Sequence, residues 1–447
     1  MPLHADSLRL HLGRGPATPR SLQDKLGLSQ PTLSRALGRL GDEVVRLGAA
    51  RSIQYLLRDR NRGFADLPVY RVDAEGRIRR LGLLIPVRPE GYVMQQDDGR
   101  HLHSEGIPWW LLDMRPQGFL GRAYASRHAA GLGLPASVNE WSDTDAIRAL
   151  LAHGHDAVGN LLLGDSARDR FLYAPPADPV RQMGKAIEYA RLARLAIQGD
   201  TPVSSAGGEQ PKFTVFADTP GGARHLLVKF SLPDANPITE RWRDLLLAEH
   251  HALAVLGSAG MAAARSWILD HDGQRFLEVE RFDRVGSRGR CGLFSLSALE
   301  AEFVGNAQAP WPVLVERLVS QHVVDAEAVR TTQALFAFGR LIGNSDMHSG
   351  NLSFVSGHGR PYALAPAYDM LPMAFAPRSG GGLSDQLPPL DLHPGVAHQV
   401  WPAMLALARD YLNKLRADER FSGNFAPCLQ ALAAHLDEAA RRIDRLG

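Results

Sequence analysis

In SLQDKLGLSQPTLSRALGRL, residues 21–40, apolar side chains return every three or four positions, and Leu33, Leu37 and Leu40 form one stripe. The spacing predicts a short helix from Ser21 to about Leu26, a turn at Gly27, and a second helix opening at Ser29, a suitable N-cap. Gln30, Thr32, Ser34, Arg35 and Arg39 then fall on the faces away from that stripe. The next segment, VVRLGAARSIQYLL, changes to a period of two on either side of Gly48-Ala49-Ala50, so two short strands are expected. Farther on, YRVDAEGRIRRLGLLIPV reads as a strand pair turning at Glu75-Gly76, and a helix is expected near Thr144–Ala152. Trp109 and Trp110 are expected in a core or at a join between subdomains. In the second half, HLLVKF puts Lys229 on a strand, a helix over roughly residues 241–256 carries Glu249, and FLEVERFDR runs from a strand into a linker.

Charge changes this picture. The 447 residues carry 50 Lys or Arg against 48 Asp or Glu, a net +2. The first 62 residues hold eleven basic and five acidic side chains, a local +6, so the remaining 385 sum to −4. Helix, turn, helix and strand pair on so basic a segment resemble the winged helix-turn-helix of bacterial regulators. Ser29–Leu40 would be its recognition helix, with Ser29, Gln30, Thr32, Ser34, Arg35 and Arg39 reaching double-stranded DNA. A helical protein–protein module with a solvated basic face fits the same pattern. A single small reader binds weakly, so a homodimer is expected.

Composition excludes other classes. Apolar content of 45% and charged content of 22% exclude wholesale disorder and a coiled coil. Two cysteines, Cys291 and Cys428, exclude a disulfide scaffold or a Cys-rich zinc module. The pairs His101/His103, His153/His155 and His250/His251 lack a Cys or a further carboxylate at ligand spacing and read as surface residues. No apolar run approaches the ~20 residues of a membrane span, and Asp6, Arg9 and Arg14 interrupt any signal core. A cytoplasmic location without membrane association is expected.

The chemistry lies in LIGNSDMHSGNLSF, residues 341–354, where Asp346 precedes Asn351 by five positions. A short strand, a turn at Ser356–Arg360 and the return PYALA then lead to Tyr368-Asp369. Phosphoryl transfer needs this order: a carboxylate for the attacking hydroxyl, an amide for a metal, and a second carboxylate after a hairpin. Upstream, SSAGGEQPKF, residues 204–213, is a turn whose successive N–H groups can cradle phosphates, with Lys212 beside it. Read alone it is also an ordinary hairpin turn. Lys229 has the place of a phosphate-binding lysine, with Glu249 as the side chain that holds it.

Taken in order, SSAGGEQPK, LLVKF, EVERFDR, GNSDMHSGN and AYD resemble the HipA family of bacterial serine/threonine protein kinases, toxins of toxin–antitoxin modules linked to growth arrest and persistence. A reader fused ahead of the kinase resembles the YjjJ (HipH) subgroup. The resemblance implies a multidomain α+β protein: a winged helix-turn-helix over 1–62, a HipA-type N-terminal subdomain over 63–176, a kinase N-lobe over 177–285 and a helical C-lobe over 286–447. It implies Asp346 as catalytic base, Asn351 and Asp369 as Mg²⁺ ligands, and Lys229 on the ATP phosphates. Ser205, Ala206, Gly207, Gly208, Glu209, Gln210 and Lys212 would form the ATP loop, and Glu280, Arg281 and Phe282 the adenine linker. His348 and Tyr368 would complete the nucleotide site.

Ser205 holds the place of the family's autophosphorylated, self-inhibiting serine, with Ser204 beside it. Glu209 departs from the pattern by putting a negative charge in a phosphate-receiving loop. Met370-Leu371-Pro372 after Asp369 departs from a eukaryotic-type activation segment. The implied acceptor is a protein, such as an aminoacyl-tRNA synthetase. Two alternatives stay open: a DNA-binding regulator whose kinase-like half senses nucleotide, and a small-molecule phosphotransferase of the aminoglycoside or choline kinase type.

Overall fold

The computed structural model describes residues 3–49, 52–175, 177–198, 210–357, 359–378 and 380–445 of a mixed α+β chain. Three helices, Leu3–Leu12, Pro19–Leu26 and Gln30–Leu40, open it and pack Leu8, Leu12, Leu22, Leu33 and Leu40 together. Thr18 caps the second helix by accepting from Ser21 N at 3.2 Å, and Gly27, at φ 63°, ends it. Ser29 stands at the N-cap position of the third helix, yet its hydroxyl pairs with Thr32 Oγ1 at 2.9 Å and makes no bond to the backbone. Leu37, read as part of the apolar stripe, is only half-buried, and Ala36 takes the buried place.

Strands Val44–Leu47 and Gln54–Leu57 then form an antiparallel hairpin with Val45 opposite Leu56. One face of this hairpin is buried: Val45, Leu47 and Leu56 pack on Ile85, Val87 and Val93 of the next sheet. Backbone bonds Asp59 N to Pro86 O (2.8 Å) and Arg88 N to Leu57 O (2.9 Å) stitch the two units together.

That next sheet has five antiparallel strands in the order His101–Ser104, Tyr92–Gln96, Ile78–Pro86, Leu67–Val72, Leu161–Leu163. Helix Asp143–His153, opened by a Ser142/Asp145 capping box, lays Ala146, Ile147 and Leu150 on its face. A second antiparallel sheet follows, ordered Ser266–His271, Gln274–Glu280, Gly222–Phe230, Lys212–Thr219. Its register sets Lys212 directly opposite Lys229. Helix Lys185–Ile197 covers one face through Tyr189 and Ala193, and helix Pro237–Ser258 covers the other, with Leu246 on Leu277 and Val279 and with Glu249 buried.

The last third is mainly helical, with Leu296–Phe303, Trp311–Ser320, Glu327–Leu341, Val400–Ala417 and Ala426–Ile443 around Phe338, Trp401, Tyr411 and Phe425. Fully burying side chains of this kind contributes about 1.5–3 kcal/mol each, and among the described residues this is the most populous buried cluster. A small antiparallel sheet, Gly292–Ser295, Ser353–Ser356 and Ala363–Leu364, carries the segment after Asn351. Among the described residues no helix is long and apolar enough to cross a membrane.

Candidate active site

A cavity of about 1260 Å³ opens between the second sheet and the helical third, larger than most small-molecule sites. At its centre Lys229 Nζ lies 2.8 and 2.7 Å from the two oxygens of Glu249 and 2.5 Å from Asp369 Oδ1. Burial alone would lower the Lys229 ammonium, but Asp369 and Glu249 hold it above its ordinary value. Burial raises Glu249, and the charge of Asp369 adds to that. Burial would raise Asp369 too, but Lys229 and Lys212 outweigh it and keep its carboxyl low.

Asp369 sits at φ 55°, in the left-handed region that costs a non-glycine residue roughly 1–2 kcal/mol, and Asp is among the residues that tolerate it best. Asn344 donates to its carbonyl at 3.4 Å. Across the cleft, Gly343 at φ 78° follows helix Glu327–Leu341, and the chain turns into the loop of Asp346. Asp346 N donates to Asn344 Oδ1 (3.0 Å), and Asn351 Nδ2 donates to Asp346 O (2.8 Å). That leaves the Asn351 amide oxygen outside this bond. His348 Nδ1 accepts from Gly350 N at 3.0 Å, so a neutral ring carries its proton on Nε2, which faces Asp346 Oδ1 at 3.9 Å. Burial raises the half-exposed Asp346 carboxyl, opposed by His348 and helped by Asp369. Trp311 Nε1 holds the His348 carbonyl at 2.9 Å, and the Tyr368 hydroxyl holds that of Gly350 at 2.9 Å.

Gln210, Lys212, Lys229, Glu280, Arg281 and Phe282 therefore line one cavity with His348, Asn351, Asp346, Tyr368 and Asp369. Ser204, Ser205, Ala206, Gly207, Gly208 and Glu209 lie outside the described residues. Within the linker, Glu280 spends its carboxylate on Arg265 (2.9 and 2.6 Å), and its N–H goes to the Arg265 carbonyl. Arg281 N–H goes to the His225 carbonyl at 2.9 Å. Phe282 packs its ring 5.6 Å from that of Tyr368.

The rest of EVERFDR forms a buried ionic hinge. Asp283 accepts from Arg281 Nε and Nη2 (both 3.0 Å), Arg284 Nη1 (2.6 Å) and Gly159 N (3.0 Å). Arg284 also reaches Asp156 at 2.9 Å, and Arg290 donates to the His155 carbonyl at 2.6 Å. Residues 155–159 belong to the five-stranded unit, so this cluster joins it to the cleft. Sequence reasoning did not find Asp156, or Asp113 and Ser295 in the cleft wall. Asp156 follows a histidine pair in an unremarkable loop, and Asp113 follows two leucines without any motif.

The residues of the basic segment form a separate surface. Ser29, Gln30, Ser34, Arg35 and Arg39 are exposed and Thr32 is half-buried, with Arg35 and Arg39 one turn apart beside His4 and Thr32. Gln30 is already engaged with Gln23 at 2.6 Å, and Arg35 Nε reaches the Pro31 carbonyl at 3.3 Å.

Known proteins share this organisation. Residues 64–172 match the YjjJ-like toxin middle domain, and residues 204–433 match the HipA-like C-terminal domain. Toxin YjjJ of Escherichia coli strain K12 is 38% identical over 438 residues, covering 97% of this chain and 98% of that one. A solved chain from the Shewanella oneidensis MR-1 toxin–antitoxin complex of HipA, HipB and its operator DNA superposes with a TM-score of 0.50. It is 16% identical, covers 85% of this chain and 98% of its own length, and shares the fold. Near-complete coverage by the YjjJ toxin and a family match across more than half of the sequence place the chain in the HipA-like family, as a YjjJ-like toxin.

Proposed function

We propose that the chain is a Mg²⁺-ATP-dependent serine/threonine protein kinase of the HipA toxin type, with a DNA-reading winged helix-turn-helix in residues 1–62. The observation that carries this reading is Lys229, buried between Glu249 and Asp369 and facing Asp346 and Asn351 across one cavity. In this reading Lys229 and Lys212 receive the ATP phosphates, and Phe282 lies against the adenine. Asp346 accepts the proton of the attacking hydroxyl, a role that its raised carboxyl favours and that general-base catalysis rewards with roughly 10²–10⁴-fold. Asp369 and Asn351 offer a carboxylate and an amide oxygen, the hard donors Mg²⁺ takes together with substrate phosphates. Bound there, Mg²⁺ supplies neutralisation of phosphate charge. The four domain spans read from the sequence, and a protein acceptor such as an aminoacyl-tRNA synthetase, are part of the same proposal.

A phosphate on Ser205 or Ser204 adds about −1.5 to −2 charge where ATP must bind, and would switch the enzyme off. Incubation with Mg²⁺-ATP followed by intact-mass and phosphosite mapping tests both ideas. A phosphate on Ser204 or Ser205 is expected in the parent and absent in Asp346→Asn. An unmodified parent that also phosphorylates no protein would overturn the kinase reading.

For DNA, the support is the local +6 charge with Arg35 and Arg39 exposed on the third helix, and a relative whose complex holds operator DNA. Arg35→Ala and Arg39→Ala are each expected to weaken duplex binding and to lower the slope of log affinity against log salt by about 1. Fluorescence anisotropy across a salt series measures this, and unchanged slopes would place the DNA elsewhere.

A further inference from the structure

The segment Trp109–Met114 belongs to the middle domain, yet its short helical turns deliver a side chain to the cleft wall. Trp109 anchors the segment on the helical third, with ring centroids 5.0 Å from Phe294 and 5.4 Å from Phe303. Four residues later Asp113 accepts two bonds from one partner: Ser295 N to Oδ2 and Ser295 Oγ to Oδ1, both 2.6 Å. Among the described residues no cation pairs with this carboxylate. Partly withdrawing a carboxylate from water is costly, and two short bonds from a single residue are the visible return.

Ser295 is a junction. Its hydroxyl caps helix Leu296–Phe303 through Ala298 N at 3.1 Å, and it lies opposite Ser353 in the small sheet. The next residue, Leu296, donates to Leu352 O at 2.7 Å, directly after Asn351. Ser353 Oγ meets the Tyr368 hydroxyl at 2.7 Å, and that hydroxyl holds Gly350 O at 2.9 Å. Gly350 precedes Asn351 and Tyr368 precedes Asp369, so the path ends at both residues assigned to the metal.

We propose that Asp113 is a positioning residue, by which the middle domain sets the Asn351 and Asp369 loops through Ser295 and Tyr368. It acts through other residues and touches no reacting atom. The proposal rests on the kinase reading for its effect on rate, but the set of the loop is measurable without it.

The test compares the full-length parent with Asp113→Ala, Asp113→Asn and Ser295→Ala. In Asp113→Ala the rate at saturating Mg²⁺-ATP is expected to fall at least tenfold, with KM for ATP within threefold. Hydrogen exchange of residues 346–352 without nucleotide is expected to quicken, while helix Glu327–Leu341 exchanges as before. Asp113→Asn keeps an acceptor for Ser295 N and can donate to Ser295 Oγ, so it is expected to restore most of the rate. Parent-like rate and exchange in Asp113→Ala, or equal losses of rate and ATP affinity, would overturn the proposal. Where Asp113→Ala does not fold, Ser295→Ala carries the same comparison; it keeps the Ser295 N bond and removes both the hydroxyl's bond to Asp113 and its cap on Ala298 N, so exchange of helix Leu296–Phe303 is read alongside. A parent that transfers no phosphate defeats the kinase reading, and the exchange data alone then decide the role of Asp113.

Discussion

Two buried ionic clusters lie close together in this chain and are made of different materials. In the cleft, one lysine is shared by Glu249 and Asp369; at the hinge, Arg281, Arg284 and Arg290 share Asp156 and Asp283. At the hinge three cations face two carboxylates, whereas in the cleft Glu249 and Asp369 face Lys229 with Lys212 nearby. Carboxylates and lysine can shed a mismatch by moving a proton, whereas a guanidinium keeps its charge. The cleft can therefore change its charge when a ligand arrives, and the hinge can only stay paired.

The largest expected effect comes from halving the hinge's carboxylates. Asp283→Ala leaves three buried arginines with Asp156 as their one remaining carboxylate and should cost about 3–5 kcal/mol, read from urea midpoints. Lys229→Met should cost less, because the raised Glu249 carboxyl can take up a proton. Equal losses in the two variants would remove the distinction.

Acid and alkali separate the clusters next. Burial alone would raise Asp156, but Arg284 and Arg281 hold it down at about 2, against an ordinary 3.8. A depressed carboxyl stabilises the fold above its unfolded value and loses that contribution as pH falls through the folded one. The penalty of Asp156→Asn should therefore be constant above about pH 4 and shrink toward pH 2. Lys229 is shifted upward, so its contribution is complete below 10.5 and declines only as pH climbs past that value. Urea midpoints across pH check both; an Asp156→Asn penalty that grows in acid would reverse the sign.

The smallest effect sharpens the view of the hinge. Arg290 is the surplus cation: burial first and Arg284 second pull it below its ordinary value, and among the described residues its Nη1 has no acceptor. Arg290→Met should change stability by no more than about 1 kcal/mol in either direction, since Asp156 and Asp283 keep Arg281 and Arg284 as partners and one costly surplus charge leaves the interior. A loss as large as that of Asp283→Ala would make all three arginines equivalent.

Much of the cleft was legible because its pieces are local. Lys229 on a strand with Glu249 on the next helix, and Asp346 five positions before Asn351, are spacings that any chain displays on its face. The structure brings all of them to one cavity. The left-handed backbone of Asp369 was not legible, since Tyr-Asp-Met contains no glycine to announce it. Arg281 was read only as linker, and its buried partnership with Asp283 depends on Gly159 and Asp156, more than a hundred residues away. Asp113 and Ser295 are likewise 182 positions apart, beyond any periodic pattern. The hairpin of residues 44–57 alternates as expected, but nothing in it tells which sheet its apolar face will meet.

That buried hairpin face has a practical meaning for anyone who wishes to take the chain apart. Trimming it after residue 62 would not release a free-standing remainder; it would strip the cover from Ile85, Val87 and Val93 and present a sticky sheet to the solvent. The first sixty residues are thus part of the building rather than an attachment to it. Being one chain, the basic segment and the cleft are made at a ratio of one to one for the life of the molecule.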